Sequence, residues 1–102
     1  MADFVRVAKT TDIAPDESHL IEANGKWVAV FNCGGEFFAV DDGCTHRGGP
    51  LSDGEFSGHT VTCPWHGASF DVRTGEATGW PARKSVGCFN VRLRGDDIEI
   101  EV

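Results

Sequence analysis

Two short segments, each with one cysteine and one histidine, constrain this chain more than any other feature of its sequence. They read Cys44-Thr45-His46 and Cys63-Pro64-Trp65-His66. The chain has 4 cysteines and 4 histidines in 102 residues, and half of them fall in this one pattern. Chance is a poor explanation of such clustering, and thiolates together with imidazoles are common metal ligands. We therefore expect a metal centre held by the two segments, here called the first arm and the second arm.

The identity of the metal follows from how the ligands are divided. Two thiolates on one iron and two imidazoles on the other hold a Rieske 2Fe-2S cluster. Zinc also accepts two cysteines and two histidines, but small zinc modules pair like with like, whereas both arms here are mixed. A disulfide between Cys44 and Cys63 would leave both histidines without a role. The pattern favours the cluster, with zinc and the disulfide as alternatives.

The residues around both arms resemble the cluster-binding signature of the Rieske family. The signature covers residues 43–51 and 62–71, where glycines and a proline surround the candidate ligands. Chain length and the run at residues 70–75 are similar to those of the small soluble Rieske ferredoxins that serve bacterial aromatic-ring oxygenases. The resemblance spans nearly the whole chain. It implies an all-β Rieske fold, in which antiparallel sheets form a sandwich-like or barrel-like scaffold with a small cluster-binding subdomain.

The same resemblance implies a site and a function. Cys44 and Cys63 would bind one iron of a single 2Fe-2S cluster, and His46 and His66 would bind the other. No catalytic residue is expected, because such a chain carries electrons from an NAD(P)H-dependent flavoprotein reductase to a terminal Rieske oxygenase in aromatic hydrocarbon catabolism. We expect a cytoplasmic monomer that binds neither nucleic acid nor membrane.

Two differences from respiratory Rieske proteins bear on the reduction potential. Gly49 and Trp65 stand where that branch has additional cysteines, so the bridge between the two loops cannot form. Ala68 and Phe70 stand where it has a serine and a tyrosine that donate hydrogen bonds to the cluster and to a ligand sulfur. Since such bonds stabilise the reduced state, we expect a potential in the lower part of the Rieske range, about −150 to 0 mV. Ser69 is expected to point away, because side chains alternate along a strand.

The sequence also predicts a docking rim and a third loop around the cluster. Arg47, Gly48 and Trp65 are expected to form the rim against which a partner docks, together with Trp80 or Pro81. Residues 79–82 resemble the proline-bearing loop that covers the cluster in the family, although an ordinary extended turn before proline is the alternative.

Composition excludes several classes of protein. Acidic residues outnumber basic ones 16 to 9, for a net charge of −7, whereas nucleic-acid binding needs a basic surface. The sequence has no apolar run of about 18 residues that could cross a membrane, and its first residues lack an apolar signal core. Cys33 and Cys88 lie outside the pattern. We expect them to be small buried residues rather than a disulfide, as a reducing compartment favours.

The rest of the chain reads as short strands joined by turns. Asn24-Gly25, Gly34-Gly35 and residues 95–97 have the composition of hairpin turns. We predict one domain, residues 1–102, with a scaffold at about 1–41 and 83–102 and a cluster-binding subdomain at about 42–82. Strands are predicted at residues 4–8, 19–22, 26–31, 37–40, 60–62, 68–72, 89–94 and 98–102, with a short helical turn near Thr11.

Two other functions remain open. An oxygenase in its own right would need a second iron held by two histidines and a carboxylate, and His19 and His59 alone are left to supply the histidines. A Rieske small subunit or regulatory module of another redox complex, such as a nitrite reductase, is the main alternative. The presence of all four candidate ligands favours the carrier.

Overall fold

The strand with the longest apolar run, Lys26–Cys33, lies at the centre of the molecule. The computed structural model describes residues 4–42, 51–64, 67–79 and 86–101. In this strand Val28 and Val30 pack into one core, whereas Ala29 and Phe31 pack into another. A continuous apolar run is what a strand covered on both faces requires. The central strand therefore separates two hydrophobic cores.

Strands dominate the described residues, with two single-turn 3-10 helices at Thr10–Asp12 and Leu51–Asp53. In chain order the strands are β1 (Phe4–Lys9), β2 (Ser18–Ala23), β3 (Lys26–Cys33), β4 (Glu36–Asp41), β5 (Glu55–Ser57), β6 (Thr60–Thr62), β7 (Ser69–Asp71), β8 (Ala77–Gly79), β9 (Cys88–Phe89), β10 (Val91–Arg94) and β11 (Asp97–Glu101).

The described strands form three antiparallel sheets. Sheet 1 has the order β1-β11-β10, sheet 2 the order β2-β3-β4-β9, and sheet 3 the order β5-β6-β7-β8. One core lies between sheets 1 and 2 and includes Val28, Val30, Ile98 and Ile100. The other lies between sheets 2 and 3. Sheet 2 is thus the middle layer, and the all-β antiparallel prediction is confirmed.

The hairpins joining β2, β3 and β4 form where the turn residues predict them. Asn24 and Gly25 have φ values of 56° and 79°, as a type I′ turn requires at both central residues. Gly34 and Gly35 have φ values of 64° and 101° in the next turn. These turns set the register of the three strands, in which Leu20 lies opposite Ala29 and Ala29 lies opposite Val40.

The predicted strand at residues 89–94 is wrong in one respect, because it divides at Asn90. Phe89 pairs with Ala39 in sheet 2, whereas Val91 pairs with Ile100 in sheet 1. The Asn90 carbonyl accepts a hydrogen bond from Glu101 N at 2.9 Å, and its Nδ2 donates to Glu101 Oε1 at 2.9 Å. Asn90 therefore satisfies its polar groups while the chain passes from one sheet to the next.

Sheet 3 falls entirely within residues 42–82. The predicted strands at residues 60–62 and 68–72 are present as β6 and β7, whereas β5 and β8 were not predicted. All four strands of this sheet have three residues, and the two that were predicted are those that adjoin the second arm. The division of the chain into a scaffold and a cluster-binding subdomain stays a prediction.

The two cysteines outside the pattern differ from each other. Cys33 is half-buried against the core between sheets 2 and 3, whereas Cys88 is exposed on β9, so the expectation of burial is wrong for Cys88. Neither forms a disulfide. Burial, followed by the charges of Asp16 and Glu36, raises the pKa of the Cys33 thiol to about 11. That thiol therefore stays protonated and unreactive at neutral pH.

Within the described ranges, the structure has no helix of the length and apolarity needed to cross a lipid bilayer.

Candidate metal centre

One of the four predicted ligands, Cys63, lies among the described residues. Cys44, His46 and His66 lie outside them, as do all five residues of the predicted docking rim. The position of Cys63 and the strands at the base of each arm are therefore the structural evidence on the site.

The second arm is closed by strand pairing. β6 ends at Thr62, which lies opposite Ser69 of β7. One step further on, Cys63 N donates a hydrogen bond to the Ala68 carbonyl at 2.6 Å. Gly67 has a φ of 76°, a left-handed conformation that glycine adopts without strain. The arm is the tip of a hairpin, and its two ends are fixed by backbone bonds.

The Cys63 side chain faces the core between sheets 2 and 3 and is 2% exposed. A buried thiol at the tip of a hairpin, with a histidine three residues later in the sequence, fits the inner, sulfur-bound side of an iron–sulfur cluster. Zinc accepts the same donors, so the thiol by itself does not select the metal.

The residues after the second arm alternate as predicted. Ala68 and Phe70 are fully buried in the same core as Cys63, whereas Ser69 between them is half-buried. Because neighbouring side chains in a strand point to opposite faces, the Ser69 hydroxyl points away from the side of the sheet that Ala68 and Phe70 share. Neither Ala68 nor Phe70 offers a side-chain hydrogen-bond donor on that side.

The base of the first arm is built around Asp42, which sequence reasoning did not single out. Asp42 N donates to the Trp27 carbonyl at 3.1 Å, and the Asp42 carbonyl accepts from Leu51 N at 2.7 Å. Its carboxylate Oδ1 accepts from Ser52 N at 2.7 Å. Asp42 is 8% exposed. An aspartate that precedes a glycine ordinarily indicates a solvated turn, so the sequence held no clear signal of this role.

Gly54 separates the bases of the two arms. Its N–H donates to the Leu51 carbonyl at 3.0 Å. A Cβ added at Gly54 would lie 2.2 Å from the Thr62 carbonyl oxygen, one residue before Cys63. There is no room for any side chain at this point. The sequence analysis did not single out Gly54, because a close approach between distant parts of the chain leaves no local pattern.

The predicted third loop, residues 79–82, starts at the end of sheet 3. Gly79, the last residue of β8, lies opposite Ser69. Val86, where the described chain resumes, is buried and donates from its N–H to the Gly75 carbonyl at 2.8 Å. A Cβ at Gly75 would lie 2.1 Å from the Val86 carbonyl oxygen. Residues 80–82 of the predicted loop lie outside the described residues.

Negative charge is unevenly distributed over the described surface. On sheet 1, arginines pair with neighbouring carboxylates, for example Arg6 with Asp97 at 3.0 Å. A groove of about 650 Å³ between residues 16–19 and sheet 3 is lined by Asp16, Glu17 and Glu55 among others, and its lining holds no lysine or arginine. The groove side of the molecule is therefore the more acidic one.

Comparison with known proteins identifies the family. Residues 3–90 match the family model of the Rieske [2Fe-2S] domain. The chain is 38% identical over 99 residues to the ferredoxin component of biphenyl 2,3-dioxygenase from Rhodococcus jostii, covering 97% of this chain and 92% of that protein.

Solved structures agree. The ferredoxin of carbazole 1,9a-dioxygenase from Nocardioides aromaticivorans superposes with a TM-score of 0.94 at 29% identity, covering 98% of each chain. A ferredoxin chain in a complex of reduced oxygenase and oxidized ferredoxin of carbazole 1,9a-dioxygenase gives a TM-score of 0.92 at 29% identity, covering 96% of this chain and 92% of that one. Because a domain match over most of the sequence coincides with a shared fold over nearly all of it, the chain belongs to the Rieske [2Fe-2S] domain family.

Proposed function

We propose that this chain is a one-electron carrier that holds a Rieske 2Fe-2S cluster and supplies a multicomponent oxygenase. The observation that carries the proposal is the buried Cys63 at the tip of the β6–β7 hairpin, in a chain that aligns over 97% of its length with a dioxygenase ferredoxin component. Such a protein transfers electrons and is not an enzyme by itself.

The residues that hold the cluster are Cys44 and Cys63 on one iron and His46 and His66 on the other. When bound, the cluster supplies reversible one-electron redox chemistry. The chain places the Cys63 sulfur in a dry core and leaves the side of Ala68 and Phe70 without hydroxyl donors, both of which favour a low potential. We extend the proposal to the chain's organisation, with residues 42–82 as the cluster-binding subdomain.

The partners are a terminal oxygenase and a reductase. Support for the oxygenase comes from the structural relative that was solved in complex with one. The reductase, an NAD(P)H-dependent flavoprotein, follows from the need for a source of electrons. Because NAD(P)H is a cytoplasmic reductant, we place the protein in that compartment. The acidic groove favours partners with basic docking surfaces, which would raise the association rate more than the affinity.

The alternative of a subunit of a nitrite reductase or a similar complex is not favoured. The relatives that cover nearly all of this chain at 36–38% identity are named as ferredoxin components of dioxygenase systems.

Anaerobic purification, followed by iron and sulfide analysis and by electron paramagnetic resonance, tests the proposal. We expect the reduced wild-type protein to show a Rieske signal with a low average g value. Cys63→Ser removes a proposed thiolate ligand and should abolish the signal, whereas Cys33→Ser, a matched change in the same core, should retain it. A colourless wild-type protein, or one holding a single divalent ion, would refute the cluster.

Reduction assays then test the partners. The holoprotein should accept electrons from a flavoprotein reductase and pass them to a Rieske oxygenase, with rates that fall as ionic strength rises, because steering between opposite charges is screened by salt. Rates that do not change with salt would count against docking through the acidic surface.

A further inference from the structure

The 43–50 segment carries two of the proposed ligands. The residues that flank it, Asp42 and Leu51, are joined by a hydrogen bond. Asp42 opens the segment, and Leu51 closes it through a bond of 2.7 Å from its N–H to the Asp42 carbonyl. The Asp42 carboxylate reaches one residue further and accepts from Ser52 N at 2.7 Å. The chain therefore leaves and returns at the same place.

This junction is tied to the scaffold on both sides. Asp42 N donates to the carbonyl of Trp27 in β3 at 3.1 Å. On the other side, the hydroxyl of Ser18 in β2 donates to the Ser52 carbonyl at 2.8 Å. The Leu51 side chain is fully buried in the core that contains Cys63. The base of the first arm is thus anchored to two strands of sheet 2 and to the core beneath the second arm.

We propose that Asp42 is the positioning residue of the first arm, and that its carboxylate holds the two ends of the segment at the separation that lets Cys44 and His46 bind the cluster. This inference rests on the proposed function. In this proposal Asp42 does not bind the metal and acts through the residues that it holds in place.

The carboxylate is well suited to this task because of its burial. The bond from Ser52 N–H to Asp42 Oδ1 is part-buried. A backbone N–H that loses its acceptor away from water costs about 1–3 kcal/mol, so we expect the loss of this bond to lie toward the lower end of that range. The shape of the side chain, rather than its charge, supplies this acceptor. Asparagine has the same shape and a carbonyl oxygen, whereas glutamate keeps the charge but moves the oxygens by one methylene.

Three variants separate these contributions. In Asp42→Ala we expect the cluster to be lost about tenfold faster from the holoprotein, the ratio that about 1.4 kcal/mol produces. In Asp42→Asn the loss rate should stay within about twofold of wild type, with unchanged g values. In Asp42→Glu the loss should again be fast. Loss is followed by visible absorbance and the g values by electron paramagnetic resonance, both well below the unfolding temperature.

Asn32 supplies the matched control, because it is the other buried polar residue of the described ranges and anchors a turn remote from both arms in the sequence. Its Nδ2 donates to the Ile13 carbonyl at 2.8 Å, and its Oδ1 accepts from Gly35 N at 2.7 Å. Asn32→Ala should lower the unfolding temperature while leaving the g values and the rate of cluster loss near those of wild type.

Each outcome decides the proposal. Slow loss in Asp42→Asn with fast loss in Asp42→Ala and Asp42→Glu supports it. Equal rates in Asp42→Ala and Asn32→Ala would overturn it, because stability alone would then govern the cluster. Fast loss in Asp42→Asn would overturn it too, since the charge would then be what matters. If Asp42→Ala does not fold, the Asn and Glu variants still give the answer. A wild-type protein without a cluster would instead refute the proposed function itself.

Discussion

The two arms carry the same pair of proposed ligand types, and their bases have different supports. The second arm is the tip of a hairpin, and its ends are joined by strand pairing and by the bond from Cys63 N to the Ala68 carbonyl. The first arm follows β4, and the chain after it continues as the 3-10 helix Leu51–Asp53 rather than as a paired strand. Its ends are joined through Asp42, whose backbone and carboxylate bind Leu51 and Ser52. The base of one arm is held by strand pairing, and that of the other by one backbone bond and one side-chain bond to Asp42.

This difference determines how each arm can fail. Backbone pairing does not require one particular side chain, so the second arm should tolerate exposed substitutions that keep the strands and their buried residues. In the first arm the bond to Ser52 N comes from the carboxylate of Asp42, so this arm should depend more on the identity of one residue. The same contrast explains why the second arm could be placed on strands from sequence, whereas the support of the first could not.

The largest effect on stability should come from Gly54, which lies between the bases of the two arms. Gly54→Ala places a Cβ 2.2 Å from the Thr62 carbonyl oxygen and 3.1 Å from the Leu51 carbonyl oxygen. Both are backbone atoms, so one base must move away from the other. Overpacking of this kind typically costs 1–3 kcal/mol, and we expect about 3 kcal/mol in urea unfolding of the holoprotein. The Rieske signal should also broaden.

Gly87→Ala is the control for that change. Its Cβ would lie 3.1 Å from Asp41 Oδ2, a side-chain atom that can rotate away, and we expect a cost within about 0.5 kcal/mol. Both substitutions reduce the freedom of the unfolded chain equally, so their difference isolates the contact. Similar losses of unfolding free energy in the two variants would mean that the bases of the two arms are not in tight contact at Gly54.

Much of the fold follows from the sequence, because turn chemistry and alternation are local. Asn24-Gly25 needs positive φ at both residues and finds it. Asn90 shows the limit, since residues on both sides of it alternate and no local pattern says that Phe89 and Val91 pair in different sheets. Asp42 and Gly54 show the same limit within the site. Their roles come from contacts with Ser52 and Thr62 that composition and spacing do not reveal.

An intermediate effect is expected on the reduction potential. The double variant Ala68→Ser with Phe70→Tyr puts hydroxyls at two buried positions that follow the second arm and carry none. If each new hydrogen bond to the reduced cluster is worth about 0.5–1.5 kcal/mol, the potential should rise by about 20–65 mV per bond. Ser69→Ala, on the opposite face of β7, should leave the potential unchanged in the same redox titration. A lower potential in the double variant, or an equal rise in the double variant and Ser69→Ala, would contradict the view that Ala68 and Phe70 face the cluster and Ser69 does not.

The smallest effect concerns a second aspartate, Asp71, which follows the second arm as Asp42 precedes the first. Its carboxylate accepts from Arg73 N at 2.9 Å and from Arg73 Nη2 at 2.8 Å. The side-chain bond from Arg73 holds the pKa of Asp71 below its ordinary value of 3.8. Because Arg73 is exposed, we expect Asp71→Asn to cost at most about 1 kcal/mol. The rate of cluster loss should be unchanged, unlike that of Asp42→Ala.

The pH dependence of stability tests whether Asp71 acts through its charge. A carboxylate whose pKa is lowered by folding stabilises the protein fully at neutral pH, and that contribution is lost as the pH falls through the lowered pKa. The difference in unfolding midpoint between wild type and Asp71→Asn should therefore persist from about pH 8 to pH 5 and shrink only below about pH 4. Arg73→Ala should remove the same increment, and the double variant should add nothing further. A difference that disappears by about pH 6 would show that another group is responsible. The contrast between Asp42, which is buried and acts through its shape, and Asp71, which is half-buried and acts through its charge, would then fail.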